Sequence, residues 1–271
     1  MDNKIYWMNK EERAKLAVEK TNEREVKFGE EIAYSHDNGH VLNRVKSFDI
    51  DISELECPCM IIVSNTDAVS AVYDFNDYTK HECVLNFASF LNPGGKFIEG
   101  SSAQEESLCM ESTLYNVLTK FDDYYKARIG RSNNCLYENE AIYTPDIIFD
   151  RDGVNIKCDV LTCAAVNKSA SKRFHGTSDE VIDTMMASRL EFVLLVAASM
   201  GVKTLILGAF GCGVFGNNPK DVAKQFYYLL RDENGPRYDR LFDTVVFAIP
   251  TMKEGDKTFE IFRDVFFEEE C

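Results

Sequence analysis

From residue 60 onward the chain alternates short apolar runs with stretches of helical length. The runs Met60-Ile61-Ile62-Val63 and Cys83-Val84-Leu85-Asn86-Phe87-Ala88 read as short buried strands, with a short helix between them over 67–75. A helix is then expected in which Leu108, Tyr115 and Leu118 recur near the helical period. Strands follow at 159–165, 204–207 and 244–249, interleaved with helices at 179–200, 219–230 and about 257–267. Before residue 60 the pattern is weaker. Asn9 can cap a charged helix through Arg13, Ala17 and Glu25 that has few apolar positions and reads as an outer helix, and 36–54 is mixed with some strand. Residues 122–155 are rich in Tyr, Asn, Arg and Asp and read as a long excursion with one short strand at 147–149.

Apolar strands separated by helices predict an α/β sandwich with helices on both faces of the sheet. Ligands of such sheets bind beyond the carboxyl ends of the strands, which puts forward two loops, one after strand 83–88 and one after strand 204–207.

Composition narrows this picture. At 271 residues and 45% hydrophobic, the chain has material for one α/β domain with elaborations, 1–271, in which 1–55 forms an N-terminal helical extension packed on the core. Its net charge of −15 opposes a broad nucleic-acid groove, although glycine turns and helix N-termini can hold an anion locally. The nine cysteines, an odd number without C-x-x-C pairing, read as reduced thiols of a cytoplasmic protein. The four histidines have no metal-ligand spacing, so no metal is expected. The N-terminus lacks a signal-peptide run and no stretch is long enough for a membrane span.

The second loop reads Gly208-Ala209-Phe210-Gly211-Cys212-Gly213-Val214-Phe215-Gly216-Asn217-Asn218-Pro219. Gly211, Gly213 and Gly216 permit close backbone approach to a diphosphate, and Asn218-Pro219 start a helix. It is neither a Rossmann fingerprint nor a Walker loop, and an ordinary turn with glycines for packing stays open. The first loop runs from Asn92 through Gly94, Gly95 and Lys96 to Gln104-Glu105-Glu106. Ser102 and Glu105 have capping-box spacing, so Glu105 is expected to satisfy backbone donors at a helix start. Successive helical side chains diverge by about 100°, so the two glutamates are not expected to face one bond together, and Glu106 is the carboxyl left to act alone.

Taken together, the two loops resemble those of the bacterial macrodomain-type poly(ADP-ribose) glycohydrolases, whose signature is Gly-Gly-Gly, a short spacer, then Gln-Glu-Glu. The match here is Gly94-Gly95-Lys96, seven residues, then Gln104-Glu105-Glu106, and it extends through 84–89, 159–162, the 208–217 loop and 245–249. The resemblance implies a macrodomain-like three-layer sandwich with a central mixed sheet. It makes Glu106 catalytic with Glu105 in support. Gly211, Cys212, Gly213, Val214 and Phe215 would hold the diphosphate and pack against the distal ribose, Asn86, Gly94 and Gly95 would line the ribose pocket, and Lys96, Gln104 and Gly216 would join them in binding substrate. Adenine contacts are expected near Asn65-Thr66-Asp67. Lys96 stands in place of the third signature glycine, where it could block a positive φ, crowd the ribose, or pair with Glu105 or a phosphate.

The implied activity is hydrolysis of the ribose–ribose O-glycosidic bond of poly(ADP-ribose), releasing ADP-ribose from chain ends without a cofactor. Glu106 would serve as acid and then base in a partly desolvated setting, with ADP-ribose and ADP-ribosylated proteins as partners. The alternatives are a non-catalytic ADP-ribose-binding macrodomain and a hydrolase of mono-ADP-ribosyl linkages. A cysteine hydrolase using Cys212 and His175 is disfavoured, because nothing in the sequence places a base beside Cys212.

Overall fold

A computed structural model describes residues 8–43, 58–77, 81–251 and 253–268. Much of the 36–54 segment, expected as mixed structure, lies outside the described residues. The part that lies within them ends a helix, Gly29–Asp37, and forms strand β1 (His40–Asn43).

Among the described residues, seven strands form one mixed sheet in the order β1-β4-β5-β3-β6-β7-β2. Strands β2 (Met60–Ser64), β3 (Glu82–Phe87), β5 (Val154–Cys163), β6 (Thr204–Leu207) and β7 (Thr244–Ala248) run parallel. Strand β4 (Glu140–Arg151) is antiparallel to β5 and to β1. Because side chains alternate across a pleated sheet, each central strand feeds two cores. Leu85, Leu161, Leu205, Val245 and Phe247 face one side, where they meet helices α8 (Asp179–Ser199), α9 (Pro219–Leu230) and α10 (Thr258–Phe267). Their neighbours Val84, Val160, Ile206 and Val246 face the other, against α1 (Lys10–Lys27), α2 (Gly29–Asp37), α3 (Ala68–Asp74), α4 (Gln104–Met110) and α5 (Leu114–Leu118). The three-layer sandwich is the expected one.

Four expectations change. Strand β2 was to be buried, but it is a sheet edge and Met60 is 59% exposed. The helix expected through Leu108 and Leu118 is two helices, α4 and α5. Between them Ser112 bridges to Phe149, and Thr113 exchanges hydrogen bonds with Ile148 at 2.9 and 3.1 Å, so the chain leaves the helix to meet β4. The 122–155 excursion is more ordered than its composition suggests, holding α6 (Asp122–Ala127) and the twelve-residue β4. A bulge hid that strand: the register shifts between Thr144 and Ile147, and Asp146 takes a left-handed φ of 55°. Lastly, α7 (Lys168–His175) follows β5 where no helix was expected. Asn167 caps its start and Gly176, with φ 63°, ends it.

The N-terminal helix starts as read, with Asn9 accepting from Glu11 N and Glu12 N while Glu12 reaches back to Asn9 N. It is more than an outer helix. Ala17 and Arg24 are buried, and Arg24 donates to the carbonyl of Cys109 at the end of α4.

Candidate functional site

The carboxyl ends of β2, β3, β5, β6 and β7 share one edge of the sheet, and both glycine-bearing loops leave from it. The loop after β3 returns to its own strand through Gln104. Its amide oxygen accepts from Phe87 N at 2.9 Å and its nitrogen donates to Leu85 O at 2.8 Å, extending the ladder of β3 and docking the start of α4. Gln104 was expected among the substrate-binding residues. Its amide is instead committed to the main chain of β3.

The docked helix aims both glutamates into the loop. Glu105 accepts from Ser89 N at 2.7 Å and from Asn86 Nδ2 at 3.2 Å, while Glu106 accepts from Lys96 N and Ala103 N, both at 3.0 Å. The capping expectation is therefore corrected. Ala103, not Ser102, is the N-cap, and Glu106 in the third helical position reaches back to it, while Glu105 points to β3. The expectation that the two carboxyls must diverge is corrected as well. A Cβ built on Gly95 would lie 2.7 Å from Glu106 Oε1 and 3.0 Å from Glu105 Oε2. The Cβ atoms splay by a helical step, but the loop wraps the first turn so closely that both side chains end at one glycine.

Gly94 and Gly95 have φ of 66° and 62°, and a Cβ on Gly94 would meet the ring of Tyr115 at 2.6 Å, so a side chain at either position is excluded by backbone and by space. Lys96 has no positive φ to block. Its side chain is exposed and pairs with Glu99 at 3.8 Å rather than with Glu105. The back of the loop rests on α1: Arg13 Nε donates to Gly100 O at 2.8 Å, and a Cβ on Gly100 would lie 2.0 Å from Lys10 O.

Burial pushes the Glu105 carboxyl up to about 8, against the opposing pull of the Ser89 and Asn86 hydrogen bonds and with a further push from the Glu106 charge. Asn86 sits fully buried beneath it, with Nδ2 shared between Glu105 and Thr162 and Oδ1 without a partner among the described residues. Asn86 was expected to line the ribose pocket, and its amide nitrogen supports the glutamate from beneath.

The loop after β6 is built differently. Gly211 (φ 75°) packs against Asn217 and Ala165, and Gly216 (φ 71°) against Ser169, where a Cβ would lie 2.1 Å from the hydroxyl. Buried Asn217 ties the loop ends together by donating to Val166 O at 2.8 Å and Gly211 O at 3.0 Å. Among the described residues, no acceptor takes the N–H groups of Gly211, Gly213, Val214 or Phe215. A run of unfilled backbone donors is able to hold an anion. Val214 is 83% exposed at the tip. Burial pushes the Cys212 thiol up to about 12, and among the described residues its only side-chain hydrogen bond is to Phe210 O, so the thiol stays protonated and the Cys212–His175 reading falls.

Residues unread in the sequence join the loops. Phe90 of the first stacks on Tyr137 (4.1 Å, 8°), which in turn lies 6.4 Å from Phe215 of the second, and Arg128 sits over Phe90 at 4.6 Å while pairing with Glu140 at 3.0 Å. The excursion thus walls the site. Tyr137, Asn133, Asn134 and Cys135 all have left-handed φ, which is unfavourable backbone outside glycine, in the segment that presents Tyr137. In the region expected to meet adenine, Asn65 accepts from Thr251 N, and Asp67 caps α3. Among the described residues there is no group of three or more His, Cys, Asp or Glu suited to a metal ion, and no helix long and apolar enough to cross a membrane.

A model of the family described as microbial-type PARG, catalytic domain, matches residues 10–152. Among solved structures, the poly(ADP-ribose) glycohydrolase of Thermomonospora curvata is 28% identical, with 94% of this chain and 100% of that chain covered and a TM-score of 0.82. The same enzyme bound to the inhibitor ADP-HPD is 29% identical over 93% of this chain and 98% of that one, at a TM-score of 0.81. The glycohydrolase of Deinococcus radiodurans in complex with ADP-ribose is 28% identical over 88% and 97%, at a TM-score of 0.77. No curated protein matches the chain.

Proposed function

The chain belongs to the microbial-type PARG catalytic-domain family, and on that premise we propose that it is a glycosidase that hydrolyses the ribose–ribose O-glycosidic bonds of poly(ADP-ribose) and releases ADP-ribose. The observation that carries this reading is the meeting of two buried carboxyls at Gly95, on the same sheet edge as a loop of unfilled backbone donors.

In this reading the 208–217 loop takes the diphosphate of one ADP-ribose unit, and that remote binding energy sets the distal ribose against Gly95. Glu105 holds a proton at neutral pH, because burial pushes its carboxyl up to about 8, and it passes that proton to Glu106, whose side chain ends at the same glycine. Glu106 delivers a proton to the departing ribose oxygen as the oxocarbenium-like state develops, then takes one from the attacking water. Glu105 supports it, and no step calls on a metal or cofactor.

The net charge of −15 fits attack at chain ends, where one terminal unit is gripped rather than a length of polyanion. We treat 1–271 as one domain with α1 as an extension braced on Gly100, and place it in the cytoplasm, where the seven unpaired cysteines described would stay reduced.

The test is release of ADP-ribose from automodified, poly(ADP-ribosyl)ated protein by wild type and by Glu106→Gln. Abolished release with retained ADP-ribose binding is expected. Binding by wild type with no release from polymer or from mono-modified protein would replace this reading with that of a binding module.

A further inference from the structure

Helix α7 begins against the second loop. Ser169 N donates to Phe215 O at 2.9 Å, and Gly216 packs on the Ser169 hydroxyl. Arg173 follows Ser169 by four residues, so the two lie on one helix face about 6 Å apart along the axis, and that face is the one that meets the loop.

The cations of this helix are not alike. Lys168 pairs with Asp179 and Asp183 at 3.1 and 3.4 Å, and Lys172 with Asp179 at 2.7 Å. Arg173 has no carboxylate partner among the described residues. Its guanidinium lies 5.3 Å from the ring centre of Phe174, which is 68% exposed. In a chain of net charge −15 with abundant carboxylates, an unpaired guanidinium over a bare aromatic ring, one helical turn from an anion cradle, is a combination that folding does not require.

We propose that Arg173 and Phe174 form an auxiliary subsite for the ADP-ribose unit next to the one held by the 208–217 loop, with Phe174 stacking on its adenine and Arg173 pairing with its diphosphate. Each chemistry matches its target. An exposed ring offers a stacking face to any base, and a guanidinium binds phosphate oxygens in a fork. The unit must be tethered to the first, because one such pair is too small to hold a free nucleotide and gains its effect from the high local concentration of a linked one. The subsite rests on the polymer reading above and leaves the gripping of the terminal unit unchanged.

The test uses the full chain, with Arg173→Ala, Phe174→Ala and Phe174→Trp, on poly(ADP-ribose) and on free ADP-ribose. Both alanine variants are expected to raise KM for polymer about tenfold, with kcat moving less than about twofold and the Kd for free ADP-ribose held at the wild-type value. Phe174→Trp should restore the polymer KM. Arg173→Ala should also lower the slope of log KM against log salt by about one phosphate contact. A polymer KM at the wild-type value in both alanine variants overturns the subsite. So does a parallel loss of free ADP-ribose affinity, which would mean a disturbed loop. Should wild type release no ADP-ribose, the glycohydrolase reading fails by itself, and equilibrium binding of polymer against ADP-ribose by the same variants decides the subsite.

Discussion

The two loops at the sheet edge use backbone N–H groups in opposite ways. The first turns several of them inward: Ser89, Lys96 and Ala103 all donate to Glu105 or Glu106 and hold both carboxyls in place. The second leaves Gly211, Gly213, Val214 and Phe215 without acceptors among the described residues, so its donors stay available to a ligand. The contrast separates two tasks. A group that must transfer a proton has to be held in place before the substrate comes, whereas a group that binds a diphosphate gains affinity by having nothing to give up.

The strongest way to break this contrast is Gly95→Ala. The added methyl would fall within 3.0 Å of both carboxyls at a φ of 62°, so the first loop must open to admit it. A displacement near 1 Å at a reacting group costs about 100-fold, and turnover is expected to fall by at least about that factor. Steady-state release of ADP-ribose measures it, with binding of free ADP-ribose as the control that the second loop is intact. Equal losses in both would mean that the loops are not independent.

How far the sequence foresaw this depends on the range of the contacts. Elements with their signals inside them were legible: Asn218-Pro219 placed the start of α9, and the apolar run Thr204–Leu207 is β6 to the residue. Strand β4 was hidden because Pro145 and Asp146 interrupt its apolar run at a bulge, and the break between α4 and α5 because Ser112 and Thr113 find their partners on that same strand. Within the site, the Gln104-Glu105-Glu106 motif and both glycine loops were readable. The capping contact was placed on the wrong glutamate, since capping-box spacing fits Ser102 with Glu105 as well as Ala103 with Glu106, and only the docking of Gln104 on β3 chooses between those registers. The stack of Tyr137 on Phe90 joins residues far apart in the chain and had no local signal.

The self-satisfied loop also carries a pH cost that the open one lacks. The unfolded chain gives up the Glu105 proton near 4.5, whereas the folded chain keeps it to about 8, so the folded state binds more protons between those values. Stability from this group is full below pH 4.5 and is lost as pH rises to 8. Urea midpoints of wild type should therefore fall across that window. In Glu105→Gln this fall should be absent, leaving the variant on the order of 2 kcal/mol more stable at pH 8 after allowing for one amide N–H that now faces a donor. A wild-type midpoint that rises from pH 5 to 8 would overturn the protonated Glu105.

For the open loop the matching test is Gly216→Ala. Its methyl would meet the Ser169 hydroxyl at 2.1 Å at a φ of 71°, which disturbs the cradle but not the carboxyls. Strain of about 1–2 kcal/mol corresponds to roughly tenfold weaker binding of ADP-ribose. Calorimetric titration reads it directly, and kcat at saturating polymer should stay near wild type. A fall in kcat with unchanged affinity would assign the loop to the chemical step.

The smallest effect belongs to the residue that departs most visibly from the signature. Lys96 contributes its backbone N–H to Glu106 at 3.0 Å, and any residue but proline supplies that donor. Its side chain leaves the loop toward solvent, and its partner Glu99 is also exposed, so the pair adds little. Lys96→Gly, which restores the third glycine, should therefore leave turnover and ADP-ribose affinity within about twofold of wild type and lower stability by about 0.5–1 kcal/mol through backbone entropy. Parallel measurement of KM, kcat and the urea midpoint checks this. A large gain in polymer turnover would mean that the lysine, exposed as it is, stands in the path of the leaving chain, and the first loop would then act on the substrate by obstruction as well as by its carboxyls.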